Sequence, residues 1–223
     1  IDKIWDIGVG HIIFTGGEPT LVGYLPELIG YAESIGIVTG MITNGRRLAD
    51  KGYMKKLLDA GIDHIQITLE SWNEGIHNKM VGANAWKETV KGIKNAVDEQ
   101  VYLITNTTLT KLNIQNVERT VEFIKELGLE TFACNGIIYT GKARESNIAL
   151  SEEMMYEIVE RIKNKARELG LRFIWYTPTR YCRFNPLELG LGIKQCSAAR
   201  FTMCIEPDGS VLPCQSYYRC VGN

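Results

Sequence analysis

Two groups of residues in this sequence combine residue types and spacings that suit chemistry. The first is Gly16-Gly17-Glu18-Pro19, which directly follows the short apolar run 11–14. Two glycines let a ligand approach the backbone closely, so main-chain groups there can bind the carboxylate and ammonium of an amino acid. Glu18 adds a negative charge for the ammonium, and Pro19 suits the start of a helix. The alternative is a glycine turn with an exposed glutamate.

The second group consists of cysteines near the carboxyl terminus. Of the six cysteines, all except Cys134 lie after residue 180. This clustering favours metal or iron–sulfur ligation, because a cluster needs several thiolates at one point. Disulfides and buried free thiols are the alternatives, and we expect Cys134 to serve packing. The candidate ligands are Cys182, Cys196, Cys204, Cys214 and Cys220.

The first group lies on a regular alternation of predicted strands and helices. Short β-branched runs alternate with longer segments whose apolar residues recur three and four positions apart. The predicted strands are 11–14, 37–42, 64–69, 101–109, 131–138 and 171–175. The predicted helices are 25–34, 53–60, 86–99, 114–127 and 152–169. Several of these helices end at a glycine suited to a helix stop, namely Gly36, Gly61, Gly128 and Gly170.

Strand–helix units in series predict parallel strands with right-handed crossovers. Periodicity alone leaves open whether the sheet is doubly wound or forms a closed or partial barrel. Both architectures bind ligands at the carboxyl ends of the strands. The pattern changes after Trp175, where residues 176–195 read as an irregular linker. Segments 201–206 and 210–212 then flank Pro207-Asp208-Gly209, which predicts a hairpin.

The motifs at the strand ends, taken in order, resemble those of the radical S-adenosylmethionine (radical SAM) superfamily. Gly16-Gly17-Glu18-Pro19 resembles the family motif for the methionyl amino group of S-adenosylmethionine. Thr43-Asn44-Gly45 resembles the family's Thr-Asn-Gly, and the segment from Gly141 resembles its Gly-Arg-Ala near the adenine. The resemblance implies an α/β fold, a partial (β/α)6 TIM-like barrel over 1–175. Residues 176–223 would then form a linker and a small cysteine-containing β-hairpin extension.

The third predicted strand departs from the family pattern in detail. Thr68 and Glu70 stand where family members often have serine and aspartate, and Val81 replaces the usual arginine. The resemblance implies that Thr68 and Glu70 bind ribose hydroxyls, whereas His77 is expected to be structural. The implied cofactor-binding set is Gly16, Gly17, Glu18, Pro19, Thr43, Asn44, Thr68, Glu70 and Gly141.

The family's reaction requires a 4Fe–4S cluster held by Cys-x3-Cys-x2-Cys, and this sequence contains no such motif. In the family, one electron cleaves cluster-bound S-adenosylmethionine to a 5′-deoxyadenosyl radical that abstracts a substrate hydrogen. Because the motif precedes Gly-Gly-Glu-Pro in the family, we expect it, together with the barrel's first strand, upstream of Ile1 in the complete protein. The chain as written should therefore be inactive. The alternative is a protein that never carried the cluster.

The spacing Cys196-x12-Gly209-x4-Cys214 resembles the start of the SPASM or Twitch extension of this family. That resemblance implies an auxiliary 4Fe–4S cluster bound by Cys196 and Cys214. Cys182, Cys204, Cys220 or residues beyond Asn223 would complete the site. Relatives with this extension modify peptides or mature cofactors such as tetrapyrroles. The implied partners are a peptide or small-molecule substrate and a reducing protein such as flavodoxin or ferredoxin.

Charge and hydropathy argue against other classes of partner. The formal net charge is −1, so no broad basic field predicts nucleic-acid or anionic-membrane binding. No apolar run reaches the ~18 residues of a membrane span, and the first residues show no signal-peptide pattern. We therefore predict a cytoplasmic protein. Two alternatives to the enzyme are a non-catalytic module that binds S-adenosylmethionine or a peptide, and a zinc protein.

Overall fold

The chain folds as a six-stranded parallel sheet with helices on one side, followed by a small hairpin. The computed structural model describes residues 1–223, without the side chains of Lys142 and Arg144. Each strand pairs with its neighbour in sequence, in the order β1 to β6. This order has no reversal, which excludes a doubly wound sheet and confirms a partial barrel wall. The strands are β1 (His11–Phe14), β2 (Val38–Thr43), β3 (His64–Thr68), β4 (Tyr102–Leu109), β5 (Thr131–Gly136) and β6 (Arg172–Trp175).

The five helices expected from periodicity are all present, within about three residues of the predicted ends. A 3-10 turn, Ile114–Asn116, occupies the start of the helix predicted over 114–127. Two helices, Asp2–Asp6 and Glu74–Val81, were not predicted, and the second begins where the Asn73 side chain accepts the Ile76 N–H. The helices are α1 (Asp2–Asp6), α2 (Leu25–Ser34), α3 (Lys51–Asp59), α4 (Glu74–Val81), α5 (Trp86–Asp98), α6 (Val117–Glu126) and α7 (Glu152–Glu168).

Four of these helices end in the same hydrogen-bonded turn. After α2, the Ile37 N–H donates to the Ala32 carbonyl at 3.0 Å, and the Gly36 N–H donates to the Glu33 carbonyl at 2.9 Å. Gly36 has φ +85°, which only glycine adopts without strain. The residue after each glycine leads into a strand, so the turn sets where that strand begins. The same pairing occurs at Gly61, Gly128 and Gly170.

The two faces of the sheet differ in polarity because side chains alternate along each strand. The face toward the helices carries the hydrophobic core, which includes Met41, Ile65, Ile67, Phe132 and Trp175. The opposite, concave face carries polar side chains. These include His64, Gln66, Thr68, Asn106 and Asn135, which alternate in sequence with the core positions. The sheet therefore presents a polar wall on the side away from its helices.

The irregular segment after β6 packs against the sheet and α7 through Phe184. Phe184 is fully buried, and its ring lies 5.7 Å from that of Trp175 and 5.6 Å from that of Tyr156 on α7. The predicted hairpin is confirmed as β7 (Cys204–Ile205) and β8 (Val211–Leu212), with shorter strands than expected. Large apolar side chains on this segment are exposed: Phe201, Met203, Ile205, Tyr217, Tyr218 and Val221.

Over the described residues, every helix is too short or too polar to traverse a bilayer.

Candidate functional site

The Glu18 carboxylate joins the loop after β1 to the loop after β2. Its Oε1 accepts hydrogen bonds from the Thr20 N–H at 3.1 Å, the Thr20 hydroxyl at 2.7 Å and the Thr43 hydroxyl at 2.6 Å. Its Oε2 accepts from the Asn44 N–H at 2.8 Å. Four donors on one carboxylate form a strong, partly buried network. We call Glu18, Thr20, Thr43 and Asn44 the Glu18 bridge. It fixes two predicted motifs, separated in sequence, against each other.

The glycines before Glu18 leave their backbone open. A side chain at Gly16 or Gly17 would meet no atom within 4 Å, and both residues are exposed. Gly16 has φ +122°, which requires glycine. Pro19 is buried and begins a 3-10 turn whose amino end is capped by Glu18. The sequence predicted that this backbone is accessible, whereas the internal engagement of Glu18 was not predicted.

Helix α5 supports the second loop through close packing. A methyl group on Gly92 would overlap the Gly45 carbonyl oxygen, so the helix backbone lies directly against the loop. The Thr89 hydroxyl donates to the Asn44 carbonyl at 2.9 Å, and the Asn95 side chain donates to the Leu48 carbonyl at 2.8 Å. Sequence reasoning missed all three α5 residues. A glycine inside a helix is the one signal that pointed to close approach.

Glu70, just beyond β3, is a buried carboxyl whose protein hydrogen bonds come from Thr108. It is 8% exposed, and its Oε2 accepts the Thr108 N–H of β4 at 2.7 Å. Burial raises the pKa of Glu70 to about 7 because the charged form loses solvation, and the hydrogen bonds to Thr108 oppose that shift. The glutamate is therefore close to half-protonated at neutral pH. Thr68, two residues earlier, is half-buried on the concave face.

Two buried side chains hold the Glu70 backbone. His77 Nδ1 accepts the Glu70 N–H at 3.2 Å, and burial lowers the pKa of His77 to about 4. His77 is therefore a neutral acceptor, consistent with the expected structural role. The Asn113 amide donates to the carbonyls of Glu70 at 2.8 Å and Thr108 at 2.9 Å. Asn113 also accepts the Thr110 N–H at 2.9 Å, a local turn that ties β3 to β4.

Asn106 and Asn135 form an amide pair on the concave face. Asn106 donates to the Asn135 side-chain oxygen at 2.7 Å, and Asn135 donates to the Gly136 carbonyl at 2.8 Å. Because the Gly136 carbonyl requires a donor, this pairing turns the Asn106 oxygen away from Asn135. That oxygen is buried and has no partner among the described residues. Unpaired buried acceptors are uncommon and are often associated with function.

Gly141 lies apart from the Glu18 bridge in sequence, in a 3-10 turn that spans Gly141–Arg144. It is exposed, with φ +53°. No atom lies within 4 Å of where its side chain would begin. Its place near an adenine stays a prediction.

The cysteines after residue 180 are all near the surface. Cys182, Cys196 and Cys220 are exposed, and Cys204 and Cys214 are half-buried. The turn after Cys196 contacts the residue that follows β8, because the Ala199 N–H donates to the Pro213 carbonyl at 3.1 Å. Among the described side chains, no three histidines, cysteines or acidic residues converge into a metal-binding group. The predicted ligand set thus rests on sequence spacing.

Cys134 differs from the other cysteines. It is 1% exposed within the core on β5. Burial and the nearby Glu70 carboxylate both raise the pKa of its thiol. A protonated thiol in this position packs as a small apolar side chain.

Comparisons with known proteins place these features in a family. The model of the Radical SAM superfamily matches residues 1–124. The PqqA peptide cyclase of Granulibacter bethesdensis is 30% identical over 223 residues, covering 97% of this chain and 57% of that protein. The Fe-coproporphyrin III synthase of Methanosarcina barkeri is 28% identical over 171 residues, covering 76% of this chain and 42% of that protein.

A solved structure supports the same fold. Streptococcus suis SuiB bound to precursor peptide SuiA superposes with a TM-score of 0.79 at 19% identity, covering 96% of this chain and 51% of that one. At this identity the likeness concerns the fold. The chain spans about half the length of the curated relatives it matches.

Proposed function

The chain belongs to the radical SAM superfamily, and on that premise we propose that its protein is an enzyme that modifies a peptide. The observation that carries the proposal is the extent of the match to the PqqA peptide cyclase. It covers 97% of the chain and includes both the barrel wall and the cysteine hairpin. The proposed reaction is reductive cleavage of S-adenosylmethionine at a 4Fe–4S cluster, followed by hydrogen abstraction from the substrate.

The residues at the strand ends fit S-adenosylmethionine. The open Gly16–Gly17 backbone suits the amino-acid portion, and Thr68 and Glu70 suit sugar hydroxyls. The unpaired Asn106 oxygen adds an acceptor for a ligand donor. When bound at its cluster, the cofactor supplies a carbon-centred radical able to remove a substrate hydrogen. The cysteine motif of the catalytic cluster does not occur in this sequence, so no residue here is assigned to it.

The chain's own contribution is binding and orientation. The Glu18 bridge holds the Gly16–Gly17 backbone in place, so its main-chain groups need no rearrangement to bind the methionyl group. Such preorganisation lowers the entropic cost of binding. Thr43 and Asn44 act through Glu18, whereas Thr68 and Glu70 would touch the sugar directly. The polar concave wall below them would then face the substrate.

A peptide is the favoured substrate because of the carboxyl-terminal segment. The match to the Fe-coproporphyrin III synthase covers only 76% of the chain, whereas the peptide cyclase match covers nearly all of it. A tetrapyrrole is the second candidate, and that relative is the observation that favours it. The proposal includes an auxiliary 4Fe–4S cluster at Cys196 and Cys214, a flavodoxin or ferredoxin as reductant, and a cytoplasmic location.

Product analysis tests the proposal. The protein as encoded by its gene is prepared anaerobically with iron and sulfide, reduced, and incubated with S-adenosylmethionine. We expect 5′-deoxyadenosine, detected by mass spectrometry, and more of it when synthetic peptides encoded beside the gene are added. Stimulation by coproporphyrin instead would favour the tetrapyrrole. Iron- and sulfide-loaded protein that forms no 5′-deoxyadenosine would contradict the enzyme assignment and favour the binding module.

A further inference from the structure

Glu70 is the acidic residue that the fold buries, whereas the other carboxylates of the described chain are at least partly exposed. It is 8% exposed at the carboxyl end of β3, where the proposed cofactor would lie. One oxygen, Oε2, accepts the Thr108 N–H at 2.7 Å. The Thr108 side chain adds a second hydrogen bond to the carboxylate, and no other residue in the described part of the chain donates to it. A buried carboxylate normally needs several donors or a cation to remain charged.

No described cation compensates Glu70. From β4 it faces the Thr108 backbone, and from β5 the thiol of Cys134, whose own pKa is raised by Glu70. From α4 it meets His77, which accepts the Glu70 N–H and whose pKa burial lowers. From the loop after β4, the Asn113 amide donates to the Glu70 carbonyl, leaving the carboxylate untouched. The charged carboxylate is therefore costly as long as Thr108 is its only source of donors among the described residues.

A ligand hydroxyl would supply a further donor from outside the protein. A hydrogen bond to the charged form of a carboxylate favours ionisation. Sugar hydroxyls are the donors of S-adenosylmethionine that a carboxylate at this strand end would meet, so the argument rests on the proposed function. We propose that Glu70 loses its proton when S-adenosylmethionine binds, so that cofactor affinity is coupled to pH near neutrality.

The size of the coupling follows from the titration of the free protein. With the pKa of Glu70 at about 7, about one tenth of the molecules carry the charged form at pH 6 and about nine tenths at pH 8. If the charged form binds, affinity should rise about tenfold over that interval. Binding at pH 7 should release about half a proton from this group.

Titration calorimetry tests the proposal on the anaerobically prepared protein as encoded by its gene. S-adenosylmethionine is titrated at pH 7 in phosphate, HEPES and Tris buffers, whose ionisation enthalpies differ, and again from pH 6 to pH 8. Wild type is compared with Glu70→Gln, and the difference removes proton changes of the cofactor itself. The matched control is Glu74→Gln on α4, whose carboxylate pairs with Lys87 at 3.8 Å.

The expected result is a proton release about half a proton larger in wild type than in Glu70→Gln, with Glu74→Gln like wild type. Equal release by wild type and Glu70→Gln would overturn the coupling. If Glu70→Gln fails to fold, infrared difference spectra of wild type decide the matter. Loss of the protonated carboxyl band on cofactor addition supports the proposal, and its persistence refutes it. A wild type that binds no S-adenosylmethionine would instead contradict the proposed function.

Discussion

The Glu18 bridge and the carboxyl-terminal hairpin differ in the contacts that hold them. In the bridge, one carboxylate takes four hydrogen bonds from donors on two loops, so the site is built from the chain's own groups. In segment 193–223, β7 and β8 are two residues each, and several apolar side chains are exposed. Metal binding and folding are coupled at cysteine sites. The role of the Glu18 bridge therefore follows from its hydrogen-bond geometry. The role proposed for the hairpin follows from the sequence spacing of its cysteines.

The largest expected effect comes from disrupting the packing of α5 against the loop that carries Asn44 and Gly45. Gly92→Ala should destabilise the fold by about 3 kcal/mol, at the upper end of the cost of overpacking, because its methyl group meets the rigid Gly45 carbonyl. Urea denaturation measures the free energy of unfolding. The control is Gly30→Ala on α2, which has ordinary contact distances and should gain up to about 1 kcal/mol from helix propensity. Equal effects of the two changes would contradict the close packing.

The pH dependence of stability tests whether the Glu70 carboxyl, just beyond β3, is buried. Glu70 has a raised pKa in the folded state, so its favourable contribution is full below pH ~4.5 and is lost as pH rises through about 7. Glu70→Gln should therefore gain up to about 3 kcal/mol over wild type at pH 8. Urea midpoints at pH 5 and pH 8 provide the measurement. A difference between the proteins that does not change with pH would contradict the buried carboxyl.

The contribution of His77 to stability should change with pH in the opposite direction to that of Glu70. Its folded pKa lies below the usual value, so its contribution is present above pH ~6.5 and is lost as pH falls through about 4. Substitution by glutamine, which keeps an acceptor for the Glu70 N–H, should therefore reduce acid sensitivity between those values. The effect is up to about 3 kcal/mol at pH 4 and is read from the same urea series. Unaltered acid sensitivity would mean that His77 is charged in the fold.

The bridge itself should contribute a smaller amount. Glu18→Ala removes four hydrogen bonds to a partly exposed carboxylate, and we expect a loss of about 1.5–3 kcal/mol. Glu18→Gln keeps acceptor capacity on one oxygen and should lose less. Thermal unfolding monitored by circular dichroism compares the two variants. Indistinguishable melting temperatures for wild type and Glu18→Ala would show that the two loops are held by other contacts.

The smallest stability effect belongs to the second region. Replacing both Cys196 and Cys214 by alanine should change the free energy of unfolding by less than about 0.5 kcal/mol when no metal is bound, because Cys196 is exposed and Cys214 half-buried. In the anaerobically loaded protein, the same change should remove one cluster's iron. Iron and sulfide analysis provides the measurement. An unchanged iron content would refute the auxiliary-site assignment.

Much of the fold was predictable because its signals are local. Gly36 and its three equivalents end helices because glycine readily adopts a positive φ, so the residue type alone predicts the helix end. The burial of Phe184 against Trp175 was not predictable, because the surrounding prolines and glycines indicate only an irregular segment. Helix α4 was missed because it is short and lies between two predicted elements.

The sequence indicated which residues lie at the strand ends, but it did not indicate what their side chains contact within the protein. The Gly-Gly-Glu-Pro tetrapeptide identified the first strand end. The resemblance implied that Glu18 meets a ligand ammonium, and that role stays a prediction. The structure adds donors from the chain itself on both carboxylate oxygens, which the sequence did not indicate. Contacts between distant segments, such as Gly92 with Gly45, depend on tertiary packing, which local pattern does not encode. For the same reason the burial of Glu70, and hence its raised pKa, emerged only from the fold.

The central claim is that S-adenosylmethionine binds at the strand ends on a backbone held by Glu18. Its most direct test is calorimetric titration of S-adenosylmethionine into the anaerobically prepared protein as encoded by its gene, comparing wild type with Glu18→Ala at a temperature where both are folded. We predict saturable binding by wild type and an affinity at least about tenfold weaker in the variant. Equal affinities, or no binding by folded wild type, would contradict the claim.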